Sequence, residues 1–224
     1  MSQYPIGFWN YPAVTTTPVT DVARWANCGI TCNQTPTFSY GHHDPALMTA
    51  FLDEMHAHGM KAFVYINDLI FHNFKEDPEA FRAVYERAYA DFGHHPATLG
   101  FFIGDEPLHP AEFKACVRAY QIMREVSPEL TPLLNFNPYW LGIETDFLGG
   151  QKFEDWLDNF IDASGCPLIC YDCYWQMNPE EEGTNSYFLN LNKYTSAGKR
   201  KGVKVWNTLL SVGHFRYRVP SEAD

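Results

Sequence analysis

Positive charge is scarce in this chain. Its 16 lysines and arginines stand against 27 aspartates and glutamates over 224 residues, a formal net charge of −11. Such a surface repels nucleic-acid phosphates, which excludes that partner and favours neutral ligands. Long apolar runs are missing too. Nothing approaches the roughly 18 consecutive residues needed to span a bilayer, so no membrane partner is expected. The start, Met1-Ser2-Gln3-Tyr4-Pro5, has neither the basic nor the apolar region of a secretory leader, so a cytoplasmic location is the expectation. Cysteine is sparse: residues 28, 32, 116, 166, 170 and 173 do not form the dense pattern of a disulfide scaffold, and free thiols are predicted. The spacing of Cys166, Cys170 and Cys173 invites an iron–sulfur reading. They lie in an apolar run that reads as a strand, however, and alternation puts Cys170 and Cys173 on opposite faces. Two further absences count. No glycine-rich phosphate loop follows an early strand, which argues against an open nucleotide-binding sheet. No His-x-His pair stands at the first strand exit, where Trp9-Asn10-Tyr11 lies instead, so no metal is expected.

Apolar and aromatic residues are plentiful, at 46% and 16%, enough for one substantial core. They are arranged as strand-then-helix units of roughly 30 residues. Candidate strands are Ile6–Tyr11, Ile30–Thr35, Lys61–Ile66, Thr98–Gly104, Thr131–Phe136, Pro167–Asp172 and Val203–Leu210. Between them, apolar stripes at helical spacing run through Leu47, Phe51, Leu52 and Met55, through Phe81, Val84, Tyr85, Ala88 and Phe92, through Phe113, Cys116, Val117, Tyr120 and Met123, and through Phe153, Trp156, Leu157, Phe160 and Ile161. Gly29, Gly59, Gly93, Gly165 and Gly198 are predicted as helix C-caps. Strands apolar throughout indicate a sheet covered on both faces. The fold class expected is α/β: a parallel (β/α)8 barrel of the TIM type in one domain, residues 1–224, truncated after its seventh strand and lacking the C-terminal β/α unit. Ser221 reads as the N-cap of a helix that would continue beyond Asp224.

In that architecture the C-terminal ends of the strands converge on the site. The most informative exit is Gly104-Asp105-Glu106-Pro107, which follows the apolar run Leu99–Ile103. Two acids at the end of a buried strand are poor packing material, and partial desolvation suits a carboxyl group to proton transfer near neutral pH. The other exits offer amides, carboxylates and large aromatics, including Asn33, Gln34, Asp68, Asn135, Tyr174 and Asn207. Hydroxyl-rich ligands need such paired donors and acceptors, and sugar faces stack on indole and phenol rings.

The segment Gly100-Phe101-Phe102-Ile103-Gly104-Asp105-Glu106-Pro107 resembles the acid/base segment of TIM-barrel glycoside hydrolases, the clan that includes β-galactosidases and cellulases. Most of that clan reads Asn-Glu-Pro there. The resemblance implies that Glu106 is the general acid/base and that Asp105 stands where the clan has Asn. It also implies a nucleophilic Glu at the seventh exit, but Trp206-Asn207-Thr208-Leu209-Leu210-Ser211 holds no acid. Asp172 is therefore the candidate second carboxylate, with Asp105 the alternative. The expected activity is hydrolysis of O-glycosidic bonds in an oligo- or polysaccharide, with Trp9, Asn10, Asn67, Asn137, Tyr139, Trp175, Trp206 and His214 binding the carbohydrate and no cofactor required. A non-catalytic carbohydrate-binding barrel is the alternative, and a metal-dependent hydrolase the third reading.

Overall fold

A computed structural model describes residues 4–175, 183–211, 213 and 217–221. In chain order the elements are α1 (Asp21–Asn27), β1 (Cys32–Gln34), α2 (Pro45–Ala57), β2 (Lys61–Tyr65), α3 (Phe81–Ala88), β3 (Thr98–Asp105), α4 (Pro110–Val126), β4 (Thr131–Phe136), α5 (Ile143–Asp146), α6 (Phe153–Ser164), β5 (Leu168–Asp172), α7 (Thr184–Lys201) and β6 (Lys204–Thr208). Local chemistry starts these elements. The Asp44 carboxylate accepts the Ala46 N–H at 2.9 Å with Pro45 at the first helical position, and α2 follows, burying Met48, Phe51, Leu52 and Met55. The predicted apolar stripes of α3, α4 and α6 are likewise their buried faces, with Phe81, Tyr85 and Ala88 on the first, Cys116, Tyr120 and Met123 on the second, and Trp156, Leu157, Phe160 and Ile161 on the third.

The six strands form one sheet in chain order. β1 with β2, β2 with β3, β4 with β5 and β5 with β6 pair in parallel. The interiors of β3 and β4 are buried almost throughout, as a sheet covered on both faces requires. This is barrel content, but the described residues supply six strands and not the count of a complete eight-unit barrel.

Two expectations are corrected. Residues 6–11 form no strand. They run beside β1, yet the Ile6 N–H goes to Thr31 Oγ1 at 2.9 Å and the Phe8 N–H to Asn33 Oδ1 at 2.8 Å, so side chains take the donors a backbone ladder would use. The glycine caps also divide. Gly29, Gly59 and Gly165 take positive φ as predicted, whereas Gly93 and Gly198 do not. Gly198 lies inside α7, where a Cβ would come within 2.4 Å of Val205 Cγ2, and the helix ends instead at Gly202 with φ 69°. Gly198 is there for close approach of α7 to β6, not for a left-handed turn.

Contacts group the described chain into two compact units, residues within 1–104 with 114–133, and residues within 105–113 with 134–224. The first packs Phe38, Phe51, Phe63, Phe71, Phe81 and Phe101 in its core. In the second, Phe136 stands edge-on to Phe160 and Trp156 at 4.8 and 5.9 Å, and Tyr171 of β5 stacks flat on Tyr194 of α7 at 3.9 Å.

Candidate active site

Gly104 and Glu106 give the end of β3 its shape. Gly104 sits at φ 144° with the Phe71 ring against it; an added Cβ would lie 2.2 Å from Phe71 Cδ1. Two residues on, Glu106 takes φ 50°, the one non-glycine with positive φ among the described residues. That conformation costs on the order of 1–3 kcal/mol and persists only where surroundings enforce it. Here the Glu106 N–H donates to the Asn135 carbonyl at 2.8 Å. Beyond it, the Glu112 carboxylate accepts the Leu108 and His109 N–H groups at 2.9 and 3.1 Å, capping α4 and folding back the segment that carries both acids.

The side chains converge on one amide. Asn135 of β4, 2% exposed, donates through Nδ2 to Asp105 Oδ1 at 2.9 Å and to Asp172 Oδ1 at 2.8 Å. Those two carboxylate oxygens therefore lie no farther apart than two hydrogen bonds end to end. Asn135 Oδ1 accepts from the Cys170 thiol at 3.7 Å. Asp105 and Glu106 still reach solvent, but enough protein surrounds their carboxyl groups to strip part of the hydration. For Glu106, burial first and then the charges of Asp172 and Asp105 push the carboxyl up to about 7. For Asp105, burial raises it to about 6, with Asp172 adding and the Asn135 bond opposing. Burial likewise pushes the Cys170 thiol up to about 12, which keeps it protonated and unreactive. The site thus pairs an acid that holds a proton near neutrality with a hydrogen-bonded carboxylate pair, a division of roles suited to acid/base chemistry.

The predicted residues fall as follows. Asp105, Glu106 and Asp172 belong to this one cluster. Trp206 pairs in register with Cys170, so it shares the sheet face that carries Cys170 and Thr208, whose sulfur and hydroxyl lie 3.8 Å apart. Trp175 packs on Tyr187 at 4.3 Å, and the Tyr187 hydroxyl accepts from Asn207 Nδ2 at 3.1 Å. Asn137 is buried, with no hydrogen-bond partner for its Oδ1 among the described residues. Tyr139 lies against α6 and α7, edge-on to Phe153 at 5.5 Å and beneath Lys193 Nζ at 4.1 Å. In the first unit, Trp9 stacks on Tyr11 and meets Phe102 edge-on at 5.2 Å, Asn10 is buried with its amide 3.5 Å from the Gln34 carbonyl, and Asn67 donates to Ser39 Oγ at 2.8 Å. His214 lies outside the described residues. Sequence reasoning placed Asn135 at a strand exit and missed its role. The available signal was a lone amide in the apolar run Leu133-Leu134-Asn135-Phe136, since a buried amide in a strand must find partners.

No family model matches the chain, and no curated protein matches it in sequence. Solved structures do. A proposed alpha-L-fucosidase from Bacteroides thetaiotaomicron superposes with TM-score 0.63 at 10% identity, over 85% of this chain and 68% of that one. The catalytic domain of endoglucanase Cel5A from Thermobifida fusca gives TM-score 0.50 at 12% identity, over 95% and 81%. A family 1 β-glucosidase from Thermotoga maritima gives 0.47 at 14%, over 69% of this chain and 53% of that one. The structural neighbours are TIM-barrel glycoside hydrolases. At these identities the likeness is one of fold, in agreement with the resemblance drawn from the Gly-Asp-Glu-Pro segment, and the chemistry has to be argued from the residues themselves.

Proposed function

We propose that this chain is a glycoside hydrolase that cleaves O-glycosidic bonds of an oligo- or polysaccharide by carboxylate catalysis. Glu106 protonates the leaving glycosidic oxygen, because it is the acid that still carries a proton near neutral pH. Asp172, which accepts from the Asn135 amide, is the second carboxylate: it stabilises the positive charge that develops on the sugar ring, as nucleophile or as base for a water. Asp105 adds negative charge beside it, and Trp206 offers an indole face for the sugar. The observation that carries the reading is the single cluster formed by Glu106 and the Asn135-bridged Asp105–Asp172 pair. The fold likeness to a proposed fucosidase and an endoglucanase is one of scaffold, and it is compatible with a carbohydrate substrate. Glu106→Gln, assayed with a panel of aryl glycosides, tests it: loss of turnover supports the assignment, and near-normal turnover by the variant of an active protein sinks it. The exit of β6 carries no acid among Trp206–Ser211, which motivates a second reading, carbohydrate binding without cleavage. Saccharide binding by calorimetry with no hydrolysis over long incubation would favour that one.

A further inference from the structure

Besides its place in the sheet ladder, Asn135 makes four hydrogen bonds at the site, and three of them end on the acid residues. Its two amide hydrogens go to Asp105 and Asp172, its carbonyl oxygen receives the Glu106 N–H, and its side-chain oxygen receives the Cys170 thiol. An amide N–H can only donate, so each aspartate must offer it an accepting oxygen, and the ionised carboxylate accepts more strongly than the neutral acid. Two carboxylates bridged by a single amide nitrogen repel each other's charge, and in a partly desolvated site that repulsion disfavours double ionisation. The two Asn135 hydrogens oppose it by donating one bond to each. Glu106 receives only a backbone tie, and among the described residues no side chain donates to its carboxyl group.

We propose that Asn135 is a positioning residue that keeps Asp105 and Asp172 both ionised, so that the one exchangeable proton of the cluster resides on Glu106. This deepens the hydrolase reading and rests on it for its purpose, though not for its chemistry. Three titratable groups outside the trio feel the Asp172 charge directly. Cys170 and Cys173 come from β5 and its exit, and Tyr194 comes from α7; burial holds all three in their neutral forms. Asp105 and Asp172 are therefore the charges that act on Glu106. Without the two donors one aspartate would keep its proton to higher pH, half of the negative charge beside Glu106 would vanish, and its proton would loosen.

The test is the order of titration, read by carbon-13 NMR of the side-chain carboxyl groups in the full chain. In the wild type, Asp105 and Asp172 should lose their protons before Glu106, and the two Asn135 Nδ2 protons should shift as Asp105 ionises. In Asn135→Leu, which keeps the fork at Cγ but has no donor, one aspartate should hold its proton to higher pH and the Glu106 midpoint should fall by roughly threefold to tenfold in proton affinity. An unchanged Glu106 midpoint in a folded Asn135→Leu overturns the inference. So does a wild type in which Glu106 ionises first or the Asn135 protons ignore pH, a measurement that stands even where the variant does not fold. The two readings fail separately. The predicted titration order in a protein inactive on every glycoside removes the hydrolase and leaves this arrangement, whereas an active enzyme whose Glu106 ignores Asn135 removes this arrangement alone.

Discussion

At the residue scale, the proton on Glu106 has consequences for both rate and stability. As general acid it must be protonated, and burial with the adjacent aspartates pushes its carboxyl up to about 7. Turnover should therefore decline as pH rises through about 7, and Glu106→Gln should lower kcat/KM by about 10²–10⁴-fold and abolish that limb of the pH profile. The same shift enters folding with a definite sign. The folded chain holds this proton more tightly than the unfolded chain, whose ordinary value is 4.5, so stability contributed by Glu106 is present at low pH and lost as pH rises through the folded value. Thermal unfolding at pH 8 should show Glu106→Gln more stable than the wild type, with the difference shrinking toward pH 5. A variant less stable at pH 8 would mean that the carboxylate has a favourable partner there.

At the scale of elements, two glycines set how closely pieces approach, for different reasons. Gly104 needs both a backbone angle of 144° and the space that Phe71 fills. Gly104→Ala should cost about 2–4 kcal/mol in denaturant unfolding, from strain and overpacking together, and should displace Asp105 and Glu106 enough to remove activity. Gly198 needs only space, since its helical backbone is ordinary and the clash is with Val205 Cγ2 at 2.4 Å. Gly198→Ala should destabilise by about 1–3 kcal/mol, and Val205→Ala in the same chain should recover part of it. Additive losses in that cycle would show that α7 and β6 are not in contact at this point. The N-terminal segment teaches a related lesson. Residues 6–11 have the composition of a strand, yet Thr31 and Asn33 side chains compete for the N–H groups that would have built its ladder.

For the whole molecule, a surplus of acids and a set of mostly buried thiols define the behaviour in solution. All six cysteines are free, with Cys28 exposed and the other five buried. One thiol should react promptly with a disulfide reagent in the native protein and five more only on denaturation; several fast thiols would contradict the packing of β1, α4 and β5. Thiols this deep serve as small apolar side chains, and burial pushes Cys32 and Cys170 up to about 12, far from the thiolate that metal binding or nucleophilic attack requires.

What the residues decided alone was local. Apolar runs marked β2, β3, β4, β5 and β6 to within about two residues at each end, and the acids at the end of β3 were legible because hydrophobic burial makes charge at a strand exit conspicuous. Tertiary structure decided which side chains meet. Asn135, Asp105 and Asp172 come from three strands, and only the register of those strands aligns one amide between two carboxylates; a shift of one residue would turn Asn135 to the opposite face. Tyr139 and Trp206 read alike in sequence, as aromatic residues near strand ends, yet one packs against two helices and the other shares the sheet face of Cys170. Periodicity along a chain reports which face is apolar. It carries no information about which neighbour that face will find.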